Sequence, residues 1–224
     1  MPTPARVALY YAPLPDDKLT ALAASWLGRD PDTNAPRPQP NLAGIAEITA
    51  EPRLYGFHAT LKPPMQVNDW RSLITATRAL ANTIAPFDLP PLAVQDLRGF
   101  LALQETTPCP KLQALADACV EQLDSFRAPP TEQELARRRR ANLTPEQDAM
   151  LVRWGYPYVF DTWFFHMTLT RRLSDTEKAV IQPAAEAWFA PALTQPRRVQ
   201  DICLFTQSAP DAAFTLAERV NLRG

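Results

Sequence analysis

Apolar runs of strand length alternate along the chain with stretches of helical period. Val7-Ala8-Leu9-Tyr10-Tyr11 is unbroken, short and β-rich, and Pro13 and Pro15 close it, which predicts a buried strand. From Asp16 to Leu27 the apolar positions Leu19, Leu22, Ala23, Trp26 and Leu27 recur at helical spacing, and Gly28 supplies the stop. Residues 29–44 hold Pro31, Pro36, Pro38 and Pro40 among polar residues, so a long loop is expected there and is a candidate lid.

Phe57 to Lys62 reads as a strand ended by Pro63-Pro64, and Asp69 to Ala85 as a helix that turns Trp70, Leu73, Ile74, Leu80 and Ile84 inward. Strands are expected near 89–95 and 97–104, then a helix from Lys111 to Phe126. Residues 131–153 predict two helical pieces. Thr131-Glu132-Gln133-Glu134 is a capping box, and Thr144-Pro145-Glu146-Gln147 restarts with Pro at the first helical position. A strand from Trp163 to Arg171 follows, then a helix from Ser174 to Phe189 that Pro183 should kink or shorten. Strands near 199–206 and 213–220 close the chain. The expectation is an α+β fold, read as one domain over residues 1–224.

The chain has two histidines, and both sit in one repeated string. Phe57-His58-Ala59-Thr60-Leu61 and Phe165-His166-Met167-Thr168-Leu169 agree at four of five positions and lie 108 residues apart. Each copy precedes a predicted helix, so a β-α unit is repeated. Residues i and i+2 of a strand share a face. His58 and Thr60 therefore share one face and Phe57, Ala59 and Leu61 the other, with Phe165, Met167 and Leu169 inward in the second copy. Alternation also places Lys62 on the His58 face and Arg171 off the His166 face, unless a bulge intervenes. Two such strands side by side would gather two imidazoles and two hydroxyls around one cleft. That set suits in-line displacement at phosphorus. A neutral imidazole takes a proton from water, a protonated one gives a proton to the leaving oxygen, and the hydroxyls hold the non-bridging oxygens. One H-x-T on a strand would more often be structural; a matched pair holding every histidine of the chain points to chemistry.

Composition narrows the chemistry. Lys plus Arg number 23 against 24 for Asp plus Glu, a net charge of −1, which leaves little spare positive surface for long nucleic acid or an anionic membrane. No run of about 18 apolar residues spans a bilayer, and the opening Met1-Pro2-Thr3-Pro4-Ala5-Arg6 lacks the core of a signal peptide, so a cytoplasmic protein is expected. Cys109, Cys119 and Cys203 have no metal-like spacing and read as reduced thiols. Two histidines without a clustered acidic or thiol partner do not make a metal site, and no metal is expected. Six glycines and no phosphate-cradling loop leave no place for ATP or NAD, so no cofactor is expected.

The paired motif resembles the 2H phosphoesterase superfamily. The fuller strings Ala8-Leu9-Tyr10-Tyr11-Ala12-Pro13, Tyr55-Gly56-Phe57-His58-Ala59-Thr60-Leu61-Lys62-Pro63-Pro64 and Phe165-His166-Met167-Thr168-Leu169 resemble its bacterial DUF1045 family, associated with phosphonate metabolism and carbon–phosphorus lyase gene clusters. The resemblance implies a two-lobed, pseudo-symmetric fold in which each lobe gives one H-x-T strand to a central cleft. It implies metal-independent hydrolysis of a cyclic phosphodiester, with His58 and His166 as acid and base and Thr60 and Thr168 holding phosphate. Lys62 and Tyr55 are further candidates for binding substrate. The partner expected is a small phosphorylated metabolite, and the family's gene association points to a phosphoribosyl 1,2-cyclic phosphate.

Other features carry two readings each. Arg137-Arg138-Arg139-Arg140 is the one dense charge run; a solvated helix explains it, and so does an arginine clamp for a second phosphate. Tyr55, Tyr156 and Tyr158 read first as core or rim packing, although a tyrosine hydroxyl can bond a phosphate oxygen. The competing functions are processing of RNA ends bearing 2′,3′-cyclic phosphates, by the same chemistry, and a non-catalytic module that binds phosphate or nucleotide.

Overall fold

A computed structural model describes residues 4–224; Met1-Pro2-Thr3, part of the leader reading, lie outside the described residues. The elements run β1 (Arg6–Tyr11), α1 (Lys18–Leu27), α2 (Ile45–Ile48), α3 (Ala50–Tyr55), β2 (Ala59–Met65), α4 (Trp70–Ala81), β3 (Phe87–Leu89), β4 (Leu92–Leu97) and β5 (Phe100–Glu105). They continue with α5 (Pro110–Gln122), α6 (Glu132–Arg139), α7 (Pro145–Trp154), β6 (Met167–Arg172), α8 (Asp175–Leu193), β7 (Arg197–Val199), β8 (Asp201–Gln207) and β9 (Thr215–Asn221). The mixture of helices and antiparallel sheets is the expected α+β class.

Strand order makes the pseudo-symmetry visible. One sheet runs β2-β1-β8-β9, another β4-β5-β6, and β3 pairs with β7 in a third. The chain passes twice through strand, helix, H-x-T strand, helix, short strand, strand: β1-α1-β2-α4-β3-β4 and then β5-α5-β6-α8-β7-β8. Each H-x-T strand is thus the edge neighbour of the strand that opens its own half. The halves exchange their last strands, since β8 pairs with β1 and β4 with β5. The lobes interlock through that exchange. One hydrophobic cluster runs from Leu9 and Trp26 through Leu103 and Phe165 to Phe189 and Leu204.

Strand β1 is apolar at successive positions because both its faces are covered. Val7, Leu9 and Tyr11 join the main core, while Ala8 and Tyr10 join a small cluster with Cys203, Phe205 and Phe214 on the opposite face. Helix starts follow the expected side-chain chemistry. Asp17 and Asp69 accept the first free N–H groups of α1 and α4, and capping boxes open α6, α7 and α8.

Several expectations are corrected. Strand β2 does not stop at Pro63-Pro64 but continues to Met65, which an edge strand allows because its outer N–H groups need no partner. Strand β6 starts at Met167, not Trp163, since Phe160–Thr162 form a 3₁₀ turn first. Helix α8 runs on through Pro183 and Pro191 to Leu193, packed on α1 by Trp26, Trp188 and Phe189. Residues 45–55, given no element from the pattern, form the short helices α2 and α3.

Candidate functional site

The two H-x-T strands open onto one cleft of about 650 Å³, lined by Tyr55, His58, Thr60, His166 and Thr168. Each histidine sits one residue before its strand begins, half-buried. The two are held alike: Nδ1 of His58 lies 2.9 Å from the Gly56 carbonyl oxygen, and Nδ1 of His166 lies 3.1 Å from that of Phe164. A carbonyl only accepts, so Nδ1 is the protonated nitrogen in both. Nε2 is then free to take or give a proton on the cleft side. Thr60 Oγ1 is 3.4 Å from His58 Nε2, which brings hydroxyl and imidazole to one locus.

Each imidazole is further fixed by an aromatic face. His58 stacks on Tyr10 with ring centroids 3.6 Å apart, and His166 on Phe164 at 4.7 Å, with Phe100 edge-on at 6.0 Å. Burial lowers the pKa of both. His58 is pushed down to about 4, chiefly by desolvation, with the Gly56 bond opposing and charge on His166 adding to the fall. Burial likewise lowers His166 against the bond to Phe164. The sensitivity of His58 to charge on His166 means that the pair resists double protonation.

Indole side chains brace both strands. Trp163, three residues before His166, donates from Nε1 to the Thr60 carbonyl oxygen at 2.8 Å, and Trp26 donates to the Leu169 carbonyl oxygen at 3.1 Å. Gly56 takes φ +78° and ψ 175°, a conformation open to glycine, and a Cβ there would sit 2.9 Å from Pro31 Cβ. The 29–44 loop is therefore a buttress behind His58. It does not line the cleft: Arg29 donates to the Arg53 and Leu54 carbonyl oxygens, and Gln39 bonds the Trp26 carbonyl oxygen and Thr49. The candidate lid is corrected to a packed support; helix α6, with Arg137 and Arg138, borders the cleft instead.

Lys62 is brought elsewhere than expected. Opposite β2, Leu9 faces Lys62 and Tyr10 faces Thr60, so Leu61 is an extra residue that resets the alternation. Lys62 turns away from the cleft, fully buried, with Nζ on the Val120 carbonyl oxygen at 3.1 Å and on Asp124 at 3.0 Å. It anchors β2 to α5. The mirror correction applies to Arg171. Phe100 to Ala102 of β5 faces Arg172 to Thr168 of β6, an irregularity that brings both Arg171 and Arg172 to the cleft wall. Arg171 is paired with Glu177 at 2.8 Å, and Arg172 donates to the Arg98 carbonyl oxygen. Tyr156 also lines the cleft and Tyr55 stacks on Phe214 there; Tyr158 packs edge-on against Tyr156. Sequence reasoning missed Tyr10 and Arg6. The unbroken apolar run hides that Tyr10 faces the cleft, and an isolated arginine carries no signal.

Among the described residues, no three His, Cys, Asp or Glu side chains gather as a set that could hold a metal ion. No helix among them is long and apolar enough to cross a membrane.

Comparison with known proteins places this geometry in context. A family model described as "Protein of unknown function (DUF1045)" matches residues 60–215, more than half of the chain. A protein of Janthinobacterium sp. (strain Marseille) named ribose 1,5-bisphosphate phosphokinase PhnN is 39% identical over 231 residues, covering 98% of this chain and 51% of that protein. A protein of the same name from Laribacter hongkongensis (strain HLHK9) is 36% identical over 220 residues, covering 96% and 51%. The chain thus spans about half the length of these curated relatives. Among solved structures, LigT of E. coli complexed with 3′-AMP superposes over 100% of both chains with a TM-score of 0.50 at 17% identity. The shared feature at that identity is the fold, which is of the 2H phosphoesterase kind.

Proposed function

The chain belongs to the DUF1045 family, and we propose that it is a 2H phosphoesterase that hydrolyses a small cyclic phosphodiester without a metal ion. The observation that carries the reading is the matched tethering of two imidazoles, each with Nδ1–H spent on a backbone carbonyl and Nε2 left for the cleft. His58 suits the base. Its pKa of about 4 keeps it neutral across the physiological range, so its Nε2 lone pair can take a proton from the attacking water. His166 then supplies the acid, gaining its proton as the anionic substrate enters and passing it from Nε2 to the departing oxygen. The water oxygen forms the new P–O bond as the ring P–O bond breaks. Thr60 and Thr168 donate to the non-bridging oxygens, where negative charge grows in the transition state. Tyr55, on the cleft wall, is a further candidate donor to phosphate.

The substrate proposed is a phosphoribosyl 1,2-cyclic phosphate. Breaking its P–O2 bond leaves ribose 1,5-bisphosphate, the compound in the name of the two curated relatives, which carry a further half beyond the matched region. The phosphokinase of that name is not transferred: no G-x-x-x-x-G-K-S/T run occurs in the 224 residues. The cell compartment proposed is the cytoplasm, where such sugar phosphates circulate. The direct test compares turnover of phosphoribosyl 1,2-cyclic phosphate with that of an oligonucleotide bearing a 2′,3′-cyclic end, at two salt concentrations. The small ester should be preferred by kcat/KM with a shallow salt dependence. Preference for the oligonucleotide with a steep salt slope would replace this reading by RNA end processing.

A further inference from the structure

Beside the histidines the cleft wall holds four guanidinium groups with no carboxylate partner among the described residues, Arg6, Arg137, Arg138 and Arg172; Arg172 is spent on the Arg98 carbonyl oxygen, which leaves the first three. They come from different parts of the chain. Arg6 lies on β1, on the same face as Tyr10, which stacks on His58; the four-residue offset is about 13 Å along a strand. Its Nε donates to Gln207 Oε1 at 2.7 Å, and Gln207 is held in turn by its bond to the Ala212 carbonyl oxygen, so Arg6 is aimed rather than free to wander. Arg138 lies half-buried with its guanidinium 4.9 Å from the ring centroid of Tyr156, a stacked arrangement that leaves its N–H edges for a ligand.

The rest of the arginine run behaves otherwise. Arg139 turns outward to a bidentate pair with Asp148, and Arg140 is exposed. Nearby acids do not neutralise the three. Glu134 is spent on the cap of α6, and Asp211 and Glu51 line the cleft without an ion pair. Three cations sharing a cleft wall repel one another, and burial lowers the pKa of Arg138, with Arg137 and Arg6 adding to the fall and Tyr156 and Glu134 opposing it. An anion in their midst relieves both costs.

We infer that Arg6, Arg137 and Arg138 form a phosphomonoester subsite that holds a second phosphate of the substrate while the H-x-T pair opens the cyclic one. The inference rests on the cyclic phosphodiesterase reading of the cleft and adds the substrate class to it. A terminal phosphate is a dianion with three free oxygens, which matches three guanidinium donors; a backbone phosphodiester of RNA offers one charge and two free oxygens. The 5-phosphate of a pentose carrying a 1,2-cyclic ester is such a group. Helix α6 is then a specificity element, and β1 serves both phosphates, through Tyr10 at one end and Arg6 at the other.

The test has two arms on the full chain. In the first, ribose 5-phosphate is titrated calorimetrically into the wild type and into Arg6→Gln, Arg137→Gln and Arg138→Gln, with no turnover needed. Each variant should bind at least about tenfold more weakly, while Arg139→Gln, whose partner is Asp148, should bind as the wild type does. In the second, kcat/KM for phosphoribosyl 1,2-cyclic phosphate is divided by that for ribose 1,2-cyclic phosphate, and this ratio should fall at least about tenfold in each of the three variants, through KM. Unchanged ribose 5-phosphate affinity, or equal losses on both esters, would overturn the subsite. If wild type turns over neither ester, the phosphodiesterase reading fails, and the titration still decides whether the arginines bind a phosphomonoester. Should Arg138→Gln not fold, the exposed Arg137 gives the same readout.

Discussion

At His58 and His166, proton placement decides what each side chain can do. With Nδ1–H committed to a carbonyl in both, the nitrogen left for chemistry is Nε2, and burial, which lowers both pKa values, keeps the imidazoles neutral at pH 7. This has a consequence for stability. The pKa of His58 is about 4 folded and about 6.5 unfolded. Between those values the unfolded chain binds the proton and the folded chain does not, so stability contributed at this site is full above pH 6.5 and is lost as pH falls toward 4. The stability difference between wild type and His58→Gln, measured by urea unfolding, should therefore shift against the wild type as pH drops from 7 to 5. A difference that is flat with pH would mean that the imidazole is not desolvated. In the proposed reaction each threonine gives one hydrogen bond to a charged oxygen. Thr60→Val and Thr168→Val should each cost about 1–3 kcal/mol of transition-state stabilisation, read from kcat/KM, with the fold intact.

At the scale of elements, the chemistry depends on what holds the segments leading into β2 and β6. Gly56 is the clearest case, since it combines a backbone conformation reserved for glycine, close packing on Pro31, and the carbonyl that sets the His58 tautomer. Gly56→Ala should lower kcat by roughly 10- to 100-fold through displacement of His58, beyond any loss of stability. Thermal unfolding and kcat measured together check this; a lower Tm with unchanged kcat would contradict it. Element by element, legibility in the sequence followed local chemistry. Thr131, Thr144 and Ser174 announce their helices because each side chain bonds a backbone N–H three residues on, whereas the caps at Asp17 and Asp69 emerge only in the structure. The orientation of Lys62 was not legible. The bulge at Leu61 arises from pairing with β1, a contact between residues some fifty positions apart, and alternation within β2 cannot register it. The path of β2 through Pro63-Pro64 and of α8 through Pro183 depends likewise on edge position and tertiary packing.

At the scale of the whole molecule, the repeated F-H-x-T-L string points to a duplicated β-α unit and a shared cleft, because such a unit places equivalent residues in equivalent positions, while the two lobes were implied by the family resemblance. The exchange of β4 and β8 between halves and the β3–β7 pairing were invisible in the pattern, since nothing local distinguishes a strand's partners. The arginine run carries two readings in the sequence. Arg137 and Arg138 reach the cleft wall, Arg139 makes an outward ion pair and Arg140 is exposed, a division set by where α6 lies on the fold.

The central claim is that two histidines hydrolyse a cyclic phosphate without a metal ion. It is tested most directly by measuring kcat for wild type, His58→Ala and His166→Ala on phosphoribosyl 1,2-cyclic phosphate after exhaustive chelation. The account predicts undiminished turnover by the chelated wild type and a loss of roughly 10²–10⁴ in each folded variant. Activity that chelation abolishes and zinc or manganese restores, or near-normal turnover by folded His166→Ala, would contradict it.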